Sequence, residues 1–142
     1  MSPNRAILLV EDNVDDIFLL KRALQQARIV NPVVVVSTGQ EAMDYLSGNG
    51  PFADRFTYPM PAVIFLDLKL PFVFGHEVLG WIRRQKELEP LPIIVLTSSN
   101  EASDLSRCYA LGANSYLVKP PTPEQIGALA KAFNWSWLEY AH

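Results

Sequence analysis

Five short apolar runs punctuate the chain, at residues 6–10, 33–37, 62–66, 92–96 and 115–118, and between them apolar residues recur at helical spacing. A run that is apolar throughout suits a strand buried on both faces. Strands separated by helical segments need crossover connections, so the pattern predicts a parallel sheet with helices on both sides. The first intervening segment carries a stripe at Ile17, Leu20, Leu24 and Ala27, and the last at Ile126, Leu129, Ala130, Phe133 and Trp137. Each stripe predicts a helix packed on the sheet. Helix starts are marked separately. Thr38 with Glu41, and Thr122 with Gln125 and Pro123 between them, are capping-box arrangements. Gly112 supplies a C-terminal stop for the fourth helix.

One connection is out of proportion. Residues 48–61 hold three prolines, two glycines and the aromatics Phe52, Phe56 and Tyr58, where connections usually run to ~4–6 residues. The aromatics predict an ordered loop, either packed over an edge of the domain or serving to dock a partner.

Composition narrows the picture. With 142 residues and 49% hydrophobic content, the chain predicts one domain over 1–142 with a core of about 5–138. A net charge of −3 lacks the basic field that nucleic acid or an anionic membrane attracts, so neither is expected as a partner. Cys108 is the only cysteine, which excludes an internal disulfide and predicts a buried helix residue in a reducing compartment. The run at 6–10 is too short for a leader or a membrane span, and a cytoplasmic protein is expected.

In a doubly wound sheet, ligands bind beyond the carboxyl ends of the strands, where the winding reverses. Glu11 and Asp12 follow the first strand, Asp67 the third, Thr97 the fourth and Lys119 the fifth. By analogy with five-stranded sheets of order 2-1-3-4-5, the reversal falls between the first and third strands, which deliver all three acids. Three carboxylates forced together either hold protons or bind a cation. Mg2+ favours a few carboxylate oxygens plus water and phosphate oxygens, and its charge with that of Lys119 balances the three acids. A phosphoryl group added to Asp67 would then meet a metal and a lysine already in place.

The segments Ile7-Leu8-Leu9-Val10-Glu11-Asp12-Asn13, Ile64-Phe65-Leu66-Asp67-Leu68-Lys69-Leu70-Pro71 with Gly75 beyond, Leu96-Thr97-Ser98 and Tyr116-Leu117-Val118-Lys119-Pro120 resemble, in order and spacing, the receiver domains of two-component response regulators. That resemblance implies a flavodoxin-like (βα)5 fold, a doubly wound parallel α/β sheet of order 2-1-3-4-5 in a single domain. It implies a signalling protein rather than an enzyme, with Asp67 accepting phosphate from a histidine kinase. Asp12 and Asp67 would ligate Mg2+ with the backbone carbonyl of Lys69, and Glu11 would act through water. Thr97 and Lys119 would take phosphoryl oxygens, Tyr116 would be the aromatic switch, and the Lys119-Pro120 bond would be cis. Leu88-Glu89-Pro90-Leu91-Pro92, the long 48–61 loop and the closing Phe133-Asn134-Trp135-Ser136-Trp137-Leu138 are similar to stand-alone receivers paired with bacterial phytochrome-type kinases. With no output module after the last helix, output is expected through protein contacts. A homodimer through the fourth helix, fifth strand and fifth helix is expected, with Trp135 and Tyr140 off the core stripe.

The pattern departs from the family at Phe72-Val73-Phe74, where a polar stretch is usual. Three apolar residues beside the acceptor predict either an interaction patch or a ring folded under the third helix. Asp15 and Asp16 read as first-turn acids favoured by the helix dipole. His76 reads as a surface residue, and neither it nor His142 has a metal-binding partner at ligand spacing. Three alternatives stand. An aspartyl-phosphate hydrolase usually has an acid two residues after the nucleophile, where this chain has Lys69. A flavodoxin-like cofactor binder needs a Ser/Thr/Gly cradle after the first strand, where Glu11 and Asp12 would repel phosphate. A pseudo-receiver, switched without phosphate, is kept open by Phe72-Val73-Phe74.

Overall fold

A computed structural model describes residues 5–98, 102–133 and 138–141. Five strands, β1 (Ala6–Val10), β2 (Val33–Val36), β3 (Pro61–Asp67), β4 (Ile93–Thr97) and β5 (Ser115–Val118), alternate with helices α1 (Val14–Gln26), α2 (Gly39–Ser47), α3 (Gly75–Arg84), α4 (Ala102–Ala110) and α5 (Pro123–Ala132). All strand pairs are parallel, and the order is β2-β1-β3-β4-β5, the doubly wound arrangement expected.

The three central strands are buried at every position, which their unbroken apolar runs anticipate. Alternate side chains divide between two cores. Leu8, Val10, Ile64, Leu66 and Val95 meet Tyr45, Val78, Leu79 and Ile82 of α2 and α3. Ile7, Leu9, Phe65, Ile94 and Leu117 meet Leu20 and Leu24 of α1 and Ile126 of α5. Burying each such side chain is worth about 1.5–3 kcal/mol, so this two-sided packing holds the strand ends in register.

The capping residues behave largely as expected. The Thr122–Gln125 box is complete, with Pro123 at the helix start. Thr38 accepts from Glu41 N–H at 3.1 Å, while the Glu41 carboxylate reaches back to Ser37 N–H at 3.2 Å. Cys108 is buried on α4, and Gly112 follows it with φ +108°.

The 48–61 loop is ordered by its aromatics. Phe52 and Tyr58 pack at 5.2 and 6.0 Å from the Tyr45 ring, and Tyr45 donates its hydroxyl to Pro59 O at 2.7 Å. Arg55 donates to the carbonyls of Tyr45 and Leu46 at 2.7 and 2.9 Å, satisfying acceptors that the end of α2 leaves open. Phe56 alone of the loop aromatics stands mostly exposed.

Four details differ from the sequence reading. β2 stops at Val36, one residue early, whereas β3 and β4 run on to include Asp67 and Thr97. α5 ends at Ala132, so Phe133 caps it and is exposed instead of joining the core stripe. Tyr140 is not on that helix; it pairs as an antiparallel bridge with Ile29, after α1. Trp135 and Trp137 lie outside the described residues.

Candidate functional site

Parallel strands carry their carboxyl ends to one rim, and each local element there has a reason to present its side chain. Asn13 caps α1 by accepting from Asp16 N–H at 3.0 Å, which turns the chain sharply after β1 and leaves Glu11 buried beneath an exposed Asp12. Asp67 closes β3 and is buried. Immediately beyond it, Gly75 donates to Leu68 O at 3.1 Å, and a Cβ there would stand only 2.4 Å from Asp67 O. Glycine therefore lets α3 start directly against the Asp67 backbone. On the other side, Lys119 N–H donates to Thr97 O at 2.8 Å, which fixes the end of β5 to that of β4, and the Lys119-Pro120 bond is cis.

Lys119 gathers the carboxylates. Its Nζ lies 2.5 Å from Glu11 Oε1, 3.0 Å from Asp16 Oδ2 and 3.2 Å from Asp67 Oδ1. The other Glu11 oxygen accepts from Asp12 and Asn13 N–H at 3.1 and 3.3 Å, and Asp67 Oδ1 accepts from Lys69 N–H at 3.3 Å. Burial pushes the Glu11 carboxyl up to about 7; the bond from Lys119 opposes this and the Asp67 charge adds to it. Burial would lower the Lys119 ammonium, but its bonds to Glu11 and Asp16 and the charge of Asp67 outweigh that and raise it.

One carboxylate oxygen from each of Glu11, Asp12 and Asp67 lies within 4.8 Å of the others, beside an open cavity of about 420 Å³. A six-coordinate Mg2+ with oxygens at ~2.1 Å spans ~4.2 Å between opposite ligands, so the donor set and spacing fit such an ion after small side-chain adjustments. Because both Glu11 oxygens already have protein partners, Glu11 suits a place behind a metal-bound water, and Asp12 and Asp67 suit direct ligation.

The rim thus unites Glu11, Asp12, Asp67 and Lys119, with Thr97 buried at the adjoining strand end. Lys69 keeps its side chain in solvent and turns its backbone toward Asp67. Tyr116 is half-buried and meets Tyr109 of α4 edge-on with ring centroids 6.3 Å apart. Asp16, which in sequence serves only the helix dipole, pairs with Lys119. Its placement four residues after Asp12 is the available signal, masked by the ordinary abundance of acids in a first helical turn. His76 is half-buried rather than a surface residue, because α3 lies tight on the chain, and its Nε2 is buried without a hydrogen-bond partner among the described residues. Neither phenylalanine of the departing turn folds inward. Phe72 is 95% exposed with φ +68°, and Phe74 is 63% exposed, while Val73 between them packs against the core.

Comparisons with known proteins agree with this geometry. The solved bacteriophytochrome response regulator RtBRR is 45% identical, with a TM-score of 0.80 over 92% of this chain and 77% of its own. Response regulator Rcp1 of Synechocystis sp. is 33% identical over 97% of this chain and 92% of its own. Its Mn2+-bound crystal form superposes with a TM-score of 0.75, covering 97% of each chain. The phosphorylated cyanobacterial phytochrome response regulator RcpA is 36% identical with a TM-score of 0.76 over 94% of each chain. The response regulator receiver domain family matches residues 7–131, and with the fold and the acidic rim in agreement, the chain belongs to that family of two-component signalling proteins.

Proposed function

We propose that Asp67 is the phosphoacceptor of this single-domain response regulator, taking a phosphoryl group from a histidine kinase. The observation that carries the reading is a buried carboxylate held 3.2 Å from a lysine within a three-acid cluster that fits a divalent cation. An Asp67 oxygen attacks the phosphorus of a phosphohistidine, the P–N bond breaks, and the imidazole departs with the bonding pair and takes up a proton. Bound Mg2+ supplies charge neutralisation to the phosphoryl oxygens. Asp12, Asp67 and the Lys69 carbonyl would hold it, with Glu11 acting through a water. Lys119 and the Thr97 hydroxyl receive phosphoryl oxygens. Tyr116, in contact with α4 through Tyr109, carries the change to the surface formed by α4, β5 and α5.

Relatives with phytochrome in their names support a phytochrome-type kinase as the partner, and a cytoplasmic setting goes with it. Among the described residues no helix is long and apolar enough to cross a membrane. The exposed Tyr109 and Val118 support a homodimer through α4, β5 and α5. Sedimentation should show association strengthened by beryllofluoride; a monomer at every concentration would remove that part. Lys69, standing where a hydrolase keeps its second acid, favours signalling over phosphoester turnover, and the complete acidic set favours a phosphorylated receiver over a pseudo-receiver. Acetyl phosphate with Mg2+ should add one phosphoryl group to the wild type and none to Asp67→Asn by intact mass. Equal labelling of both would sink the assignment.

A further inference from the structure

An ammonium group has three N–H donors and no acceptor. Lys119 donates to Glu11 at 2.5 Å and to Asp16 at 3.0 Å, and forms an ion pair with Asp67 at 3.2 Å. A phosphoryl group on Asp67 brings new oxygens that draw the ammonium toward them, and the two carboxylates already hydrogen-bonded to it resist that movement. Glu11 is fully buried, and both of its oxygens are engaged. Leaving it without the lysine would strand a buried charge, which is costly. Asp67 is the group being modified. Asp16 has the most exposed side chain of the three, at 29%, and water can replace the lysine there at small cost.

We propose that Asp16 is a positioning residue that occupies one Lys119 donor in the unphosphorylated protein and competes with the phosphoryl oxygens for it. The inference rests on Asp67 as phosphoacceptor and deepens that reading. Asp16 sets how readily the lysine turns to phosphate, and its negative charge adds repulsion toward an incoming dianion. Both effects hold the switch toward its resting state. Helix α1 does not need this carboxylate: its cap uses the backbone N–H of Asp16 against the Asn13 side chain, so an isosteric amide leaves the fold intact.

The test uses beryllofluoride as the phosphate mimic in saturating Mg2+, with the wild type, Asp16→Asn and Asp15→Asn. Asp15 lies in the same first turn and is exposed, so its neutralisation reproduces any helix-dipole or general charge effect. Asp16→Asn should bind beryllofluoride about fivefold more tightly than wild type, the scale of one partly exposed ion pair, with Asp15→Asn close to wild type. The 15N-detected ammonium signal of Lys119 should weaken in resting Asp16→Asn and return on adding the mimic. Weaker or unchanged binding by Asp16→Asn, or an equal gain in Asp15→Asn, would overturn the proposal while the wild-type response leaves the phosphoacceptor reading standing. A wild type that ignores beryllofluoride would overturn both.

Discussion

The two rims of this parallel sheet handle buried polar groups in opposite ways. At the amino ends of the strands Asn31, Asn114 and Arg83 chiefly serve the backbone. Asn31 donates to Arg5 O at 2.8 Å and accepts from Glu139 N–H at 2.6 Å, tying the tail at Tyr140 to the chain after α1. Asn114 accepts from Ile93 N–H at 2.8 Å and from Arg83 at 2.9 Å, and Arg83 also donates to Gly112 O and Glu89 O, both at 2.9 Å. At the carboxyl ends Glu11 and Asp67 are buried with charges chiefly for company. A satisfied polar group stabilises the fold, whereas acids crowded at one rim cost stability unless a proton or a cation compensates them.

Breaking the structural rim should cost the most stability. Arg83→Met removes donors from three backbone carbonyls and from Asn114, and chemical denaturation should show a loss of about 3 kcal/mol. Mg2+ affinity in the surviving folded protein should be unchanged, because the two rims share no partner. A large loss of Mg2+ binding would show that the rims are coupled and the contrast false.

A milder perturbation sharpens the other rim. Since the folded Glu11 carboxyl is raised to about 7, its contribution to stability in Mg2+-free protein is present at low pH, below the ordinary glutamate range, and is lost as pH rises through 7. Cation binding requires the opposite form. Mg2+ should bind about tenfold more weakly at pH 6 than at pH 8 if one such proton must leave, and Glu11→Gln should flatten that profile. Titration calorimetry at the two pH values checks it; a flat wild-type profile would take Glu11 out of the cation site.

Much of the fold and most of the site are legible in the sequence. The five apolar runs locate the strands within a residue or so, since burial on both faces leaves an unmistakable pattern. The acids, Thr97 and Lys119 can be read because parallel strands place all their carboxyl ends together. What escapes depends on distances between separate elements. Asp16 looks like any helix-dipole acid until Lys119 is seen to reach it. His76 reads as surface until α3 is seen against the β3 end. Tyr140 reads as an off-stripe residue of the last helix, but α5 ends at Ala132 and Tyr140 pairs with Ile29. The Phe72-Val73-Phe74 turn stands out as a departure in the sequence, yet only backbone direction decides that Val73 packs inward and both rings face solvent.

The central claim, that Asp67 carries the phosphoryl group, is tested most directly by locating that group chemically. After acetyl phosphate treatment with Mg2+, borohydride reduction converts a phosphoaspartate to homoserine, and peptide mass spectrometry reads where. The account predicts homoserine at position 67 alone and none in Asp67→Asn. Conversion at Asp12 or Asp16 instead, with position 67 unmodified, would contradict it.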